Sequence, residues 1–139
     1  MHVLLIEDNA GDVLLIRQIL SGLPFSVKVS TALDGEQAVR LLVDPEIKPD
    51  LIILDLSMPD LSGFEVLDLL KRDPETLQIP VVIYTSQRLE SGERERLQAA
   101  ADIVPKETQS RELTEARFAE ALARAGLHMK ATAPDGVGV

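Results

Sequence analysis

Leu51-Ile52-Ile53-Leu54 is an unbroken run of branched apolar residues that stops at a carboxylate, Asp55, and the run ending at Ile6 stops in the same way at Glu7-Asp8. Such a run without alternation suits a strand buried on both faces of a parallel sheet. The acids then fall at the carboxyl ends of strands, the edge where an open parallel sheet binds its ligands. Glu7, Asp8 and Asp55 are therefore expected in one pocket. Two ionised carboxylates about 4 Å apart repel by roughly 4 kcal/mol at the effective dielectric near a protein surface, a large share of a small domain's stability. A proton, a lysine or a hard cation could offset this. A site of oxygens alone, with no Cys or His nearby, favours Mg²⁺, which keeps several waters and takes oxygens from a substrate phosphate.

Further short apolar runs lie at Val27–Thr31, Val81–Tyr84 and around Ile103–Val104, and each of the five runs precedes a stretch with helical spacing. This alternation reads as five βα units and an α/β fold. The spacing predicts helices near Gly11–Ser21 with Val13, Ile16, Ile19 and Leu20 inward, after Asp34-Gly35 with Ala38, Leu41 and Leu42 inward, and after Ser62-Gly63 with Val66, Leu67 and Leu70 inward. A charged fourth helix is expected near Glu90–Ala101 with Leu97 and alanines inward, and a fifth near Arg111–Ala125 burying Leu113, Phe118, Ala121 and Leu122. Gly22 with Pro24, Asp44-Pro45 and Asp73-Pro74 end the first three. The 139 residues, 45% of them hydrophobic, suit one domain over residues 1–125, with residues 126–139 reading as a flexible C-terminal tail. The balance of 14 basic against 23 acidic residues, net charge −9, argues against non-specific nucleic-acid binding. With no cysteine, disulfides and thiolate metal sites are excluded. The opening residues lead into a strand without a basic n-region, so a cytoplasmic protein without membrane partners is expected.

These residues carry a resemblance to the receiver domain of two-component response regulators, from His2 to about Ala125. Glu7-Asp8 resembles the family's acidic pair and Asp55 its phosphoacceptor, with Met58-Pro59 and Gly63 at the family spacing after it. Thr85, after Val81-Val82-Ile83-Tyr84, matches the switch hydroxyl, and Lys106, after the fifth strand, matches the family's lysine. Within the family, Asp8-Asn9-x-x-Asp12 and the Asp73-Pro74-Glu75 stretch before Ile79-Pro80 resemble single-domain regulators paired with bacterial phytochromes.

The resemblance implies a single doubly wound (βα)5 domain with a flavodoxin-like parallel sheet in strand order 2-1-3-4-5. It implies a stand-alone receiver in which Asp55 takes a phosphoryl group from a sensor histidine kinase or phosphotransfer protein, catalysing its own phosphoryl transfer and dephosphorylation without being a conventional enzyme. It further implies Mg²⁺ held by Glu7, Asp8, Asp55 and the backbone carbonyl of Ser57, with Lys106 and Thr85 contacting the phosphoryl group. Taken singly, Asp8 could serve the dipole of the first helix, and Thr85 and Lys106 could be an ordinary strand residue and a solvated charge. Asp12 reads as a first-turn acid, Asp60 and Glu65 as loop and helix-face charges, and His2 and His128 as residues at the margins of the fold. The sequence departs from the family at Ile103, where receivers commonly carry Tyr or Phe, and at Glu107, where a proline commonly follows the lysine. Tyr84 puts an aromatic near the first departure. Both departures bear on output more than on phosphorylation. Output is expected through protein contacts, including a homodimer or partner surface at the fourth and fifth helices. A receiver-like module regulated by partner binding is the alternative, and an aspartate-nucleophile phosphatase is disfavoured because no Asp-x-Asp follows the first strand.

Overall fold

The computed structural model describes residues 1–24, 26–58, 60–106 and 110–126. The strands are β1 (His2–Ile6), β2 (Lys28–Ala32), β3 (Leu51–Leu54), β4 (Val81–Thr85) and β5 (Asp102–Pro105). Between and after them run α1 (Ala10–Ser21), α2 (Gly35–Val43), α3 (Gly63–Arg72), α4 (Ser91–Arg96) and α5 (Arg111–Arg124). All strand pairs are parallel, in the order β2-β1-β3-β4-β5, the doubly wound flavodoxin-like arrangement. The three inner strands are the unbroken apolar runs, and β3 and β4 are buried throughout. The edge strands β2 and β5 are only partly covered, which suits the polar Lys28, Ser30 and Thr31 of β2.

Alternate strand residues feed two cores. On one face, Leu4, Ile6, Ile52, Leu54 and Ile83 pack with Ala38 of α2, with Phe64, Val66, Leu67 and Leu70 of α3, and with Leu97. On the other, Leu5, Ile53, Val82, Tyr84 and Val104 pack with Ile16, Ile19 and Leu20 of α1 and with Phe118, Ala121 and Leu122 of α5. Among the described residues no helix is long and apolar enough to cross a membrane.

Polar side chains set where the helices begin. Asn9, Asp34, Ser62 and Ser110 each accept the third backbone N–H of the helix they precede. The α2 terminus has a further partner: Asp60, in the loop after β3, accepts from Gly35 N at 2.9 Å and Glu36 N at 3.1 Å. The Gly35 N–H above all, with the Glu36 N–H adding and desolvation opposing, holds the Asp60 carboxyl below its ordinary value. Asp60 is thus a cap for α2, where the sequence suggests only a loop charge.

The structure departs from expectation in four further places. The α4 helix stops at Arg96 rather than near Ala101, because Leu97 turns into the core and the following bonds close over three residues (Gln98 N to Glu95 O, Ala100 N to Leu97 O). Ala101 N then joins the sheet through Val81 O at 2.7 Å. Leu113 is 57% exposed; five residues from Phe118, it lies about 140° around the helix from it. Tyr84 packs against Phe118 at 5.1 Å between ring centroids, whereas Ile103 packs with the other core. An aromatic at Tyr84 therefore cannot substitute for one at Ile103 across the sheet. The fourth departure is a one-residue shift of β2, which ends at Ala32. The expected tail beyond Gly126, His128, Glu107 and Pro59 lie outside the described residues.

Gly63 seats the start of α3 directly against the backbone that follows Asp55. A Cβ there would stand 2.5 Å from Asp55 O and 2.6 Å from Leu56 Cα, backbone atoms without a flexible end. Gly63→Ala should lower stability by about 1–3 kcal/mol through overpacking, exceeding the roughly 1 kcal/mol that alanine gains in a helix. Gly92→Ala in α4, where a Cβ meets nothing within 4 Å, should be neutral or stabilising. Urea unfolding midpoints of the two variants test the contrast, and equal shifts would contradict it.

Candidate functional site

Register builds the site. In the β1–β3 pair Ile6 faces Leu54, so the next residues, Glu7 and Asp55, leave adjacent strands side by side. Their backbones are fixed by the sheet: Glu7 N donates to Ala32 O at 2.9 Å, Asp55 N to Ile6 O at 3.0 Å, and Lys106 N to Thr85 O at 2.8 Å. The carboxylates of Glu7, Asp8 and Asp55 each offer an oxygen within 4.8 Å of the others. Glu7 and Asp55 are buried, at 1% and 4% exposure, and Asp8 is open to solvent. Ser57, Ser86, Asn9, Asp12 and Lys106 complete a cavity of about 380 Å³ around them. A groove between α2 and α3, walled by Val39, Val43 and Leu69, is apolar and lies away from this cluster.

Lys106 supplies the positive charge. Its Nζ lies 2.6 Å from Glu7 Oε1, 2.9 Å from Asp12 Oδ2 and 3.5 Å from Asp55 Oδ2, and it stands 5.1 Å from the centre of the Tyr84 ring. Burial works against the ammonium, but the contacts with Glu7 and Asp12 and the charge of Asp55 outweigh it and hold the lysine above its ordinary value. Burial pushes the Glu7 carboxyl up to about 7; Asp55 adds to the rise, and Lys106 and the Asn9 N–H oppose it. Glu7 Oε2 accepts that N–H at 3.1 Å. Glu7 Oε1 has the ammonium as an ion-pair partner but no well-angled hydrogen bond.

Thr85 is buried at the end of β4, and its hydroxyl accepts from Gln87 N at 3.1 Å. The Ser57 backbone N–H reaches Asp55 Oδ1 at 3.2 Å. The structure therefore brings together Glu7, Asp8, Asp55, Ser57 and Lys106, with Thr85 next to Lys106 on the neighbouring strand. His2 bonds Ser30 Oγ through Nε2 at 2.7 Å, at the other end of β1 from the cluster.

Two residues of the site are not assigned to it by sequence reasoning. Asp12, expected as a helix-start acid, also holds Lys106. Gln87 links three parts of the site: its N–H bonds Thr85, its Nε2 donates to Glu93 of α4 at 2.9 Å, and its Oε1 accepts from Ser57 Oγ at 3.4 Å. The signal available for Asp12 is its place three residues after Asn9; for Gln87 none precedes knowledge of the loop's path.

Comparison with known proteins agrees with this geometry. A family model described as the response regulator receiver domain matches residues 3–117. Response regulator PleD of Caulobacter vibrioides is 36% identical over 121 residues, 81% of this chain and 26% of PleD. Response regulator Rcp1 of Synechocystis sp. is 32% identical over 93 residues, 63% of each chain. The chain thus spans about a quarter of PleD and under two thirds of Rcp1. Among solved structures, the phosphorylated cyanobacterial phytochrome response regulator RcpA superposes with a TM-score of 0.79 at 27% identity, covering 98% of both chains. The Mn(2+)-bound form of Rcp1 gives 0.74 at 27% identity, covering 84% of this chain and 88% of that one. With the family match running through the sheet and every strand end of the site, the chain belongs to the response regulator receiver domains of two-component signalling.

Proposed function

We propose that this receiver accepts a phosphoryl group on Asp55 from a histidine kinase or phosphotransfer protein in the cytoplasm and signals through protein contacts. The observation that supports this most is the setting of Asp55: a buried strand-end carboxylate, beside Glu7 and Asp8 and 3.5 Å from the Lys106 ammonium. Its oxygen would attack the phosphorus of a phosphohistidine. The P–N bond breaks, its electron pair returns to the imidazole nitrogen, and an acyl phosphate forms. Water later cleaves the acyl phosphate to restore Asp55 and release phosphate.

Three carboxylate oxygens, one each from Glu7, Asp8 and Asp55, that lie within 4.8 Å of one another fit a small hard cation. Glu7, Asp8, Asp55 and the Ser57 carbonyl would hold Mg²⁺, which when bound neutralises the oxygens of the transferring group. Lys106 would place a second positive charge on the phosphoryl, and Thr85 would turn its hydroxyl toward it. That turn would cost Gln87 N its acceptor, and Gln87 is bonded to Glu93 of α4. None of the six α4 residues is buried, so this helix is the element most open to rearrangement. A contact through α4 and α5, with a second copy or another protein, is the output this favours.

Asp55→Asn should abolish the Mg²⁺-dependent gain of one phosphoryl mass from a small-molecule phosphodonor. Labelling that persisted in the variant would move the acceptor elsewhere. Mg²⁺ should raise the melting temperature of the wild type, approaching about 2.7 kcal/mol at a hundredfold excess over Kd, or several degrees for a chain of this size. Asp8→Asn should lose most of that rise, and an equal rise in both proteins would place the ion elsewhere. In metal-free buffer, Glu7 binds its proton more tightly folded than unfolded, with values of about 7 and 4.5. Its contribution therefore favours the fold at low pH and is lost as the pH climbs from about 4.5 through 7. Melting temperatures across that window should fall more steeply for wild type than for Glu7→Gln, and parallel slopes would remove Glu7 as the cause.

A further inference from the structure

Asp12 occupies the third position of α1, where an acid ordinarily reaches back to the backbone N–H of the capping residue. Here that N–H, of Asn9, is already taken by Glu7 Oε2 at 3.1 Å. The forward half of the cap is intact, since Asn9 Oδ1 accepts from Asp12 N at 2.9 Å. The Asp12 carboxylate is thereby left over from capping while its backbone is held in place. It hydrogen-bonds Lys106 Nζ at 2.9 Å, across 94 residues of sequence. The ammonium sits closer to Glu7 and Asp12, at 2.6 and 2.9 Å, than to Asp55, at 3.5 Å. An ammonium has three protons to share, and a phosphoryl group on Asp55 would bring further oxygens to compete for them.

We propose that Asp12 is a positioning residue that holds the Lys106 ammonium toward α1 and away from Asp55, leaving the nucleophile less masked and weakening the grip of Lys106 on a group bound to Asp55. This rests on the reading of Asp55 as phosphoacceptor. Asp12 touches neither the metal nor the phosphoryl in this account; it acts through Lys106. Losing Asp12 would release the ammonium toward Asp55 and also remove one negative charge from the pocket. Two effects of opposite sign follow, tighter binding of a phosphoryl analogue and weaker binding of a cation. A purely structural contribution to α1 would weaken both.

The experiment titrates beryllofluoride into the protein at saturating Mg²⁺, following the Thr85 and Lys106 amide resonances, and separately titrates Mg²⁺ alone. Asp12→Asn and Asp12→Ala leave the Asn9 cap in place, because Asn9 bonds the backbone of residue 12. Both should bind beryllofluoride about fivefold more tightly than wild type, the scale of one charge-assisted hydrogen bond redirected, and Mg²⁺ several-fold more weakly. In a Lys106→Met background the same substitutions should change beryllofluoride affinity less than about twofold. Unchanged or weakened beryllofluoride binding in the single variants would overturn the proposal. So would equal tightening with and without Lys106, which would make Asp12 a bulk charge and not a positioning group. Failure of the wild type to bind beryllofluoride at all would instead remove the phosphoacceptor reading on which the proposal stands.

Discussion

One ammonium against four carboxylates is the interaction on which the upper edge of this fold depends. Glu7, Asp8, Asp12 and Asp55 converge from β1, α1 and β3, and Lys106 arrives from the far side of the sheet, passing the face of the Tyr84 ring. Each like-charge pair at such range is worth a few kcal/mol at the effective dielectric of a protein, comparable with the whole stability of a small domain. The structure answers by pairing with Lys106, and burial raises the Glu7 carboxyl to about 7, which makes its charge easier to give up. What remains is an excess of negative charge in a cavity open to water, which suits a site built to take up a cation and a reactive group together.

The distribution of firm and loose elements follows from how much each strand run buries. The inner strands β1, β3 and β4 lose nearly all their surface, and they carry Glu7, Asp55 and Thr85 at their ends. Site residues therefore stand on the most rigid part of the molecule. By contrast α4 buries none of its residues; it is tied down by Leu97 just beyond its end, by the Gln87–Glu93 bond and by Arg96, whose guanidinium lies over the Phe64 ring of α3. A rigid platform beside a weakly anchored helix is the arrangement a two-state signal requires.

Much of this is legible in the chain because its strands are unbroken apolar runs that end on charge. Asp55 and Glu7 need only the rule that ligands gather at the carboxyl edge of a parallel sheet. Lys106 and Thr85 are legible through family spacing, not through their own surroundings. Local pattern fails where tertiary contacts decide the outcome. Leu113 has the right residue type but the wrong helical phase, and α4 is cut short because Leu97 finds the core and Ala101 finds the sheet. Asp12 and Asp60 look alike in sequence, as acids near helix starts or loops. Only the fold shows one reaching a lysine that follows the fifth strand and the other reaching a helix 24 and 25 residues earlier.

The contact between the loop after β3 and the start of α2 also constrains how this chain can vary. Asp60 caps α2, and a Cβ on Gly35 would collide with the Cβ of Leu61 in the same loop. Positions 35, 60 and 61 therefore form an epistatic set. A side chain at 35 is admissible only if the loop retreats, and a retreating loop withdraws the Asp60 carboxylate from two backbone N–H groups. The same loop begins at Asp55, so divergence at the second helix is coupled to the geometry of the acid pocket without any residue of that helix entering it.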